Sequence, residues 1–111
     1  TTLDFIINNP QFWWTHNLGK PHLYDFVVEI LQNDQVLHTK SLRFGLRKLE
    51  LIREKDAHGE SFYFKLNGVP VFMKGANYIP SETMLPRRTT AQIDRILNDA
   101  KAVNMNMIRV W

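Results

Sequence analysis

The strongest constraint on the fold is a pair of apolar segments joined by one amphipathic helix. The first, Lys74-Gly75-Ala76-Asn77-Tyr78-Ile79-Pro80, reads as a buried strand running into a polar loop. The second, Asn106-Met107-Ile108-Arg109-Val110-Trp111, reads as another buried strand ending in Arg and Trp. Between them, Ile93, Ile96, Leu97, Ala100 and Val103 share one face at helical spacing. Thr89 or Thr90 can cap this helix, Thr89 with Gln92 fits a capping box, and Asn104 can take the left-handed conformation that ends it. The link into the second strand is short, so the chain should return parallel to the first strand through a right-handed crossover. Parallel α/β folds carry their chemistry at the C-terminal ends of such strands. One strand–helix–strand unit closes neither a barrel nor an open sheet, so the chain is expected to be a piece of a larger enzyme.

The first half reads as strand and turn. Tyr24, Phe26, Val28 and Ile30 alternate with Asp25 and Glu29. Gln32-Asn33-Asp34-Gln35 is a polar turn, and Val36 to Phe44 returns as the partner strand of a hairpin. Leu3 to Ile7 is a short strand candidate, stopped by Asn8-Asn9-Pro10, and Leu46 to Arg53 is expected as a third strand of this half. Asp56-Ala57-His58-Gly59-Glu60 is the best linker or turn, and a domain boundary is expected there, with residues 1–56 on one side and 57–111 on the other. Beyond it, Asn67-Gly68 between apolar runs is a strong hairpin signal, because a type I′ turn needs positive φ at both central positions.

Composition narrows the function. An apolar content of 44% with 12% aromatics argues against disorder. No run of apolar residues is long enough for a membrane helix. With no cysteine, a disulfide framework and thiolate-ligated metal are excluded. His16, His22, His38 and His58 do not recur at metal-ligand spacing, and no Ser-His-Asp arrangement, phosphate loop or dinucleotide fingerprint is present. The net charge of +3 is spread over scattered Lys and Arg, which fits a solvated surface better than a nucleic-acid groove. Neither a cofactor nor a nucleic-acid or membrane partner is expected.

Four residues stand out as candidate substrate contacts. Arg109, near the end of an apolar strand, needs an anion or several acceptors once desolvated, and could hold an active-site carboxylate; a structural ion pair is the competing reading. Asn77 follows the small Gly75-Ala76, and its amide can both donate to and accept from a sugar hydroxyl, or merely stabilise a turn. Trp111 offers a flat face for a sugar ring or for core packing; Tyr78, outside these four, carries the same ambiguity. Glu82 lies in the loop Ser81-Glu82-Thr83-Met84, where it could bind hydroxyls or simply face solvent. Trp13 and Trp14, beside Asn9-Pro10, suit core or interface packing better than a carbohydrate platform. Glu29, Glu50 and Glu54 fall on expected strands and suit solvent better than a catalytic pair.

In these segments the chain resembles glycoside hydrolase family 2, and its β-mannosidase branch in particular. The matching stretches are Asn9-Pro10 with Phe12-Trp13-Trp14, Gly19-Lys20-Pro21-His22-Leu23-Tyr24, Phe44-Gly45-Leu46-Arg47, Phe62 to Pro70, Phe72 to Pro80, and Asn104 to Trp111. Asn106-x-Ile108-Arg109 fits the start of the broad family signature, and Val110-Trp111 points to the mannosidase branch. The resemblance implies an α+β segment: the last strands of an immunoglobulin-like β-sandwich over residues 1–56, then over 57–111 a lead-in hairpin and the first β-α-β unit of a (β/α)8 TIM barrel. It implies retaining hydrolysis of terminal β-mannosyl residues by two glutamates about 5–5.5 Å apart, both on later barrel strands outside this chain. It assigns no catalytic residue here; Asn77, Glu82, Arg109 and Trp111 would bind the β-linked mannoside or other glycoside. Glu82 departs from the family pattern, where Asp is common.

Two other functions remain open on the sequence alone. One is a β-galactosidase or β-glucuronidase of the same family. The other is a non-catalytic carbohydrate-binding β-sandwich module, which predicts a closed sandwich with exposed Trp13, Trp14 or Trp111. The segment reading predicts bare apolar surface around the helix and last strand, favouring self-association.

Overall fold

A computed structural model describes residues 2–80 and 82–111. Most of the regular structure is strand, with one α-helix. The strands, in chain order, are β1 (Tyr24–Gln32), β2 (Gln35–Phe44), β3 (Leu49–Ile52), β4 (Tyr63–Leu66), β5 (Val69–Val71), β6 (Gly75–Tyr78) and, after helix α1 (Thr90–Ala102), β7 (Met107–Val110). They form three small sheets: the pair β1–β2, the triplet β3–β4–β5 and the parallel pair β6–β7.

Local chemistry explains these elements. Both hairpin turns use residues that tolerate positive φ: Asn33 and Asp34 at 50° and 62°, Asn67 and Gly68 at 51° and 82°. Along β1–β2 the register shifts between Ile30 and Leu31, which pair with His38 and Val36, so Leu37 is the extra residue of a bulge. Arg43 Nε donates to Asp25 Oδ1 at 2.6 Å across this pair. That hydrogen bond holds the Asp25 carboxyl below its usual range. Both side chains are 66% exposed, so solvent screens the pair and it adds little stability. Helix α1 starts at Thr89, whose side chain accepts from Gln92 N while the Gln92 side chain accepts from Thr89 N. Asn104, at φ 59°, turns the chain out of the helix toward β7.

Two expectations need correction. Residues 3–7 form no strand; they lie unpaired against the hairpin face, with Phe5 and Phe26 rings 5.4 Å apart. Apolar alternation alone does not make a strand without a partner edge. The third strand shortens to Leu49–Ile52. Residues 56–59, read as a linker or a turn, form the tight turn between β3 and β4. Asp56 Oδ1 accepts from the backbone N of His58 and Gly59, and β3 pairs with β4 along its full length.

Asn67 does more than supply the turn. Its Oδ1 accepts from Lys48 N at 2.9 Å, and its Nδ2 donates to Trp13 O at 3.0 Å. The turn is thereby tied to two segments distant in sequence. Asn67→Gly keeps the positive φ but removes both bonds. We expect it to lower stability by about 1–2 kcal/mol in urea unfolding; an unchanged midpoint would show that the bonds are incidental.

Burial is slight. Only Leu66 and Val71 are buried among the described residues. The radius of gyration is 19.3 Å, against about 13 Å for a compact chain of this length. The accessible surface is 9687 Å², whereas a compact 13 kDa monomer exposes roughly 6,400 Å². Much of the excess is apolar. Val27, Ile30, Leu31 and Phe44 of the first hairpin stand in the open, as do Leu97 of α1 and Val103 just after it. The closed, self-sufficient sandwich that a binding module requires is not what these elements build.

Candidate substrate-binding site

Two of the four candidate residues meet. Strands β6 and β7 run parallel with Ala76 opposite Ile108 and Asn77 opposite Arg109. Side chains alternate across a strand. Ala76, Asn77, Tyr78 and Ile108 line a cavity of about 270 Å³ with Ile96 and Ala100 of α1 and with Val103 just after it. By that alternation the Asn77 and Arg109 side chains share a face, and Arg109 lies outside the cavity. On that face Arg109 Nη1 donates to Asn77 Oδ1 at 3.2 Å. Both residues are exposed, and no carboxylate pairs with Arg109 among the described residues. The guanidinium keeps most of its donors for an anion or hydroxyls, and its bond to Oδ1 turns the Asn77 NH₂ outward as a further donor.

The other two candidates stand apart. Glu82 is half-buried, and its Oε1 accepts from Met84 N at 3.2 Å, a bond within its own loop; Ser81 of that loop lies outside the described residues. Trp111 follows β7 with its ring 71% exposed, and its backbone N donates to Tyr78 O at 3.2 Å. Among the described residues no side-chain hydrogen bond or ion pair joins either residue to the Asn77–Arg109 pair.

The tandem tryptophans serve packing. Trp13 N donates to Leu46 O at 2.8 Å, its ring lies flush against Gly45, and the Arg47 guanidinium sits 4.6 Å over it. Trp14 packs on Gly19. Gly45 and Gly19 leave space that a larger residue would take from the rings.

The sequence marks Gly75 only as a small residue allowing close backbone approach and Asn106 only as part of the Asn106-x-Ile108-Arg109 stretch, yet both shape the site. Asn106 opens β7 and bonds through its side chain to the stretch before β6. At Gly75 the two strands close in so far that a Cβ would lie 2.0 Å from Met107 O. An Asn just outside a short strand and a Gly at the first rung of another were the available signals.

Comparison with known proteins agrees with this architecture. Residues 1–47 match the family described as Glycosyl hydrolases family 2. The chain belongs to that family. It is 37% identical over 107 residues to a beta-mannosidase B of Aspergillus flavus, a match covering 96% of this chain and 13% of that protein. The beta-mannosidase B of Emericella nidulans is 34% identical over all 111 residues. Among solved structures, a beta-D-mannosidase from Dictyoglomus thermophilum matches with a TM-score of 0.89 and 42% identity, over 95% of this chain and 13% of that one. An exo-chitosanase from Amycolatopsis orientalis shares the fold, with a TM-score of 0.80 at 19% identity. The chain thus spans about one-eighth of the length of the relatives it matches.

Proposed function

We propose that this chain is a segment of a longer retaining exo-glycosidase that removes terminal β-mannosyl residues, and that β6, α1 and β7 are the first strand–helix–strand unit of its (β/α)8 barrel. The observation that carries this reading is the Asn77–Arg109 pair on adjacent parallel strands. Two neighbouring polar side chains that offer several donors on an otherwise apolar strand pair suit a sugar hydroxyl and a carboxylate together. The identity to a beta-D-mannosidase over nearly the whole chain favours mannosides over galactosides or glucuronides. In this reading Arg109 steadies the nucleophile carboxylate and a sugar hydroxyl, and Asn77 binds a second hydroxyl. Trp111 lines the pocket, and Glu82 joins it when its loop is packed by the rest of the protein. Both catalytic glutamates belong to later strands.

The domain division follows the same proposal. Residues up to about 45 complete the immunoglobulin-like sandwich. Strand β3 travels with β4 and β5 as the lead-in sheet of the barrel, since its backbone bonds go there. The seam then falls near Gly45 rather than at residue 56.

Assay of the longer protein on aryl β-mannoside, β-galactoside and β-glucuronide tests the assignment. A preference for the mannoside supports it, and turnover of only the other two replaces it. The isolated 111-residue chain is expected to hydrolyse none of them and to self-associate in light scattering, through the apolar faces left open. Turnover by the isolated chain above a protein-free blank would overturn the mapping of both glutamates to later strands.

A further inference from the structure

We infer that Asn106 is a positioning residue for the substrate site: it sets the register of β6 against β7, and so the meeting of Asn77 with Arg109. The inference rests on the functional reading above for what that meeting does. The register itself is a separate claim.

The pair β6–β7 has four rungs. A slip of one residue would put Asn77 opposite Ile108 or Val110 and turn one strand's side chains to the other face. Four rungs of a two-stranded parallel pair specify register weakly. The rungs are backbone bonds, which form equally well one step away, and α1 leaves an open apolar gap behind the sheet. Something sequence-specific has to choose.

Asn106 provides that choice. Its Oδ1 accepts from Lys74 N at 2.8 Å, and its Nδ2 donates to Phe72 O at 3.0 Å. Its backbone N donates to Lys74 O at 2.9 Å. The side-chain amide acts as an extra rung that reads residues 72–74 at one offset only. Immediately above it, Gly75 lets the strands approach so closely that no side chain could serve there instead. Asn106 also lines an apolar cavity with Trp13, Leu66, Val71 and Met73. Its bond to Lys74 N is part-buried, so leaving that amide without a partner costs more than at an open surface. Asn106 lies three residues before Arg109, about 10 Å along the strand. It cannot touch a sugar held by Asn77 and Arg109, so its effect on turnover has to pass through them.

The test uses the longer protein, with Asn106→Leu and Asn106→Asp. Leucine keeps the volume and removes both bonds; aspartate keeps the acceptor for Lys74 N and loses the donor to Phe72 O. Two quantities are read: kcat/KM on an aryl β-mannoside, and hydrogen exchange at the Lys74 amide. Asn106→Leu is expected to expose the Lys74 amide and to lower kcat/KM by at least tenfold, with Asn106→Asp between it and the parent. Combined with Arg109→Met, Asn106→Leu should add little further loss, because both act through one contact. Losses that multiply in the double variant, or a Lys74 amide as protected in Asn106→Leu as before, overturn the inference. If Asn106→Leu does not fold, Asn106→Asp carries the same two readouts and the same double-variant comparison. If Arg109→Met leaves turnover unchanged while Asn106→Leu exposes Lys74, the functional reading fails and the register claim stands.

Discussion

Arg109→Met in the longer protein is expected to lower kcat/KM on an aryl β-mannoside by about 100- to 1,000-fold, a loss of about 3–4 kcal/mol of transition-state stabilisation. Methionine preserves the length and apolar stem of the side chain, so packing along β7 changes little. What disappears is the charge and the fork of N–H donors. One donor already binds Asn77 Oδ1. The others serve the carboxylate and hydroxyl proposed to face this strand pair. Charge-assisted hydrogen bonds are roughly twice as strong as neutral ones, and their loss in a water-poor pocket is felt in full. Arg109→Lys should recover only part of the activity, because an ammonium cannot reach Asn77 and a carboxylate in the same planar arrangement. Asn77→Ala should cost less than Arg109→Met, since it removes a neutral partner. Equal activity of Arg109→Met and the parent, with both proteins folded, would remove Arg109 from the site.

The comparison of sequence with structure has a physical pattern. Features set by neighbours in the chain were legible: the turns at Asn33-Asp34 and Asn67-Gly68, the Thr89–Gln92 capping box, and the left-handed exit at Asn104. The parallel return of β7 followed from the short link after the helix. Features set by distant partners were not legible. Whether residues 3–7 become a strand depends on their pairing with an edge, and they take neither outer edge of the two-stranded β1–β2 sheet. That β3 joins β4 rather than the first hairpin depends on which edge is nearer, information that alternation does not carry. The Asn67 and Asn106 clamps join residues up to 54 apart through a side chain, and nothing periodic announces such a bond. Within the site, the strand ends could be read and the Asn77–Arg109 meeting could be expected. The isolation of Glu82 and Trp111 could not, because their surroundings depend on what covers the open faces.

Gly75→Ala is expected to be the most damaging small substitution in the chain. A methyl at that position would lie 2.0 Å from Met107 O and 2.8 Å from the Met107 carbonyl carbon. These are backbone atoms in the opposite rung, so relief requires the strands to part. Parting them strains the bonds that Asn106 makes to Phe72 and Lys74, one residue along. A stability loss of about 3 kcal/mol or more is expected, at the upper end for overpacking. In the longer protein, activity should fall with it, because Asn77 moves away from Arg109. Two other glycines calibrate the effect. At Gly45 an added methyl meets the Trp13 side chain at 2.8 Å, and a ring can yield where a backbone cannot. At Gly68 nothing lies within 4 Å, so only the strain of φ +82° remains, about 1 kcal/mol. Thermal unfolding should therefore rank the three alanine variants Gly75 below Gly45 below Gly68. A Gly75→Ala protein melting with the parent would mean that β6 and β7 are not in the close contact on which the register, and with it the pairing of Asn77 and Arg109, depends.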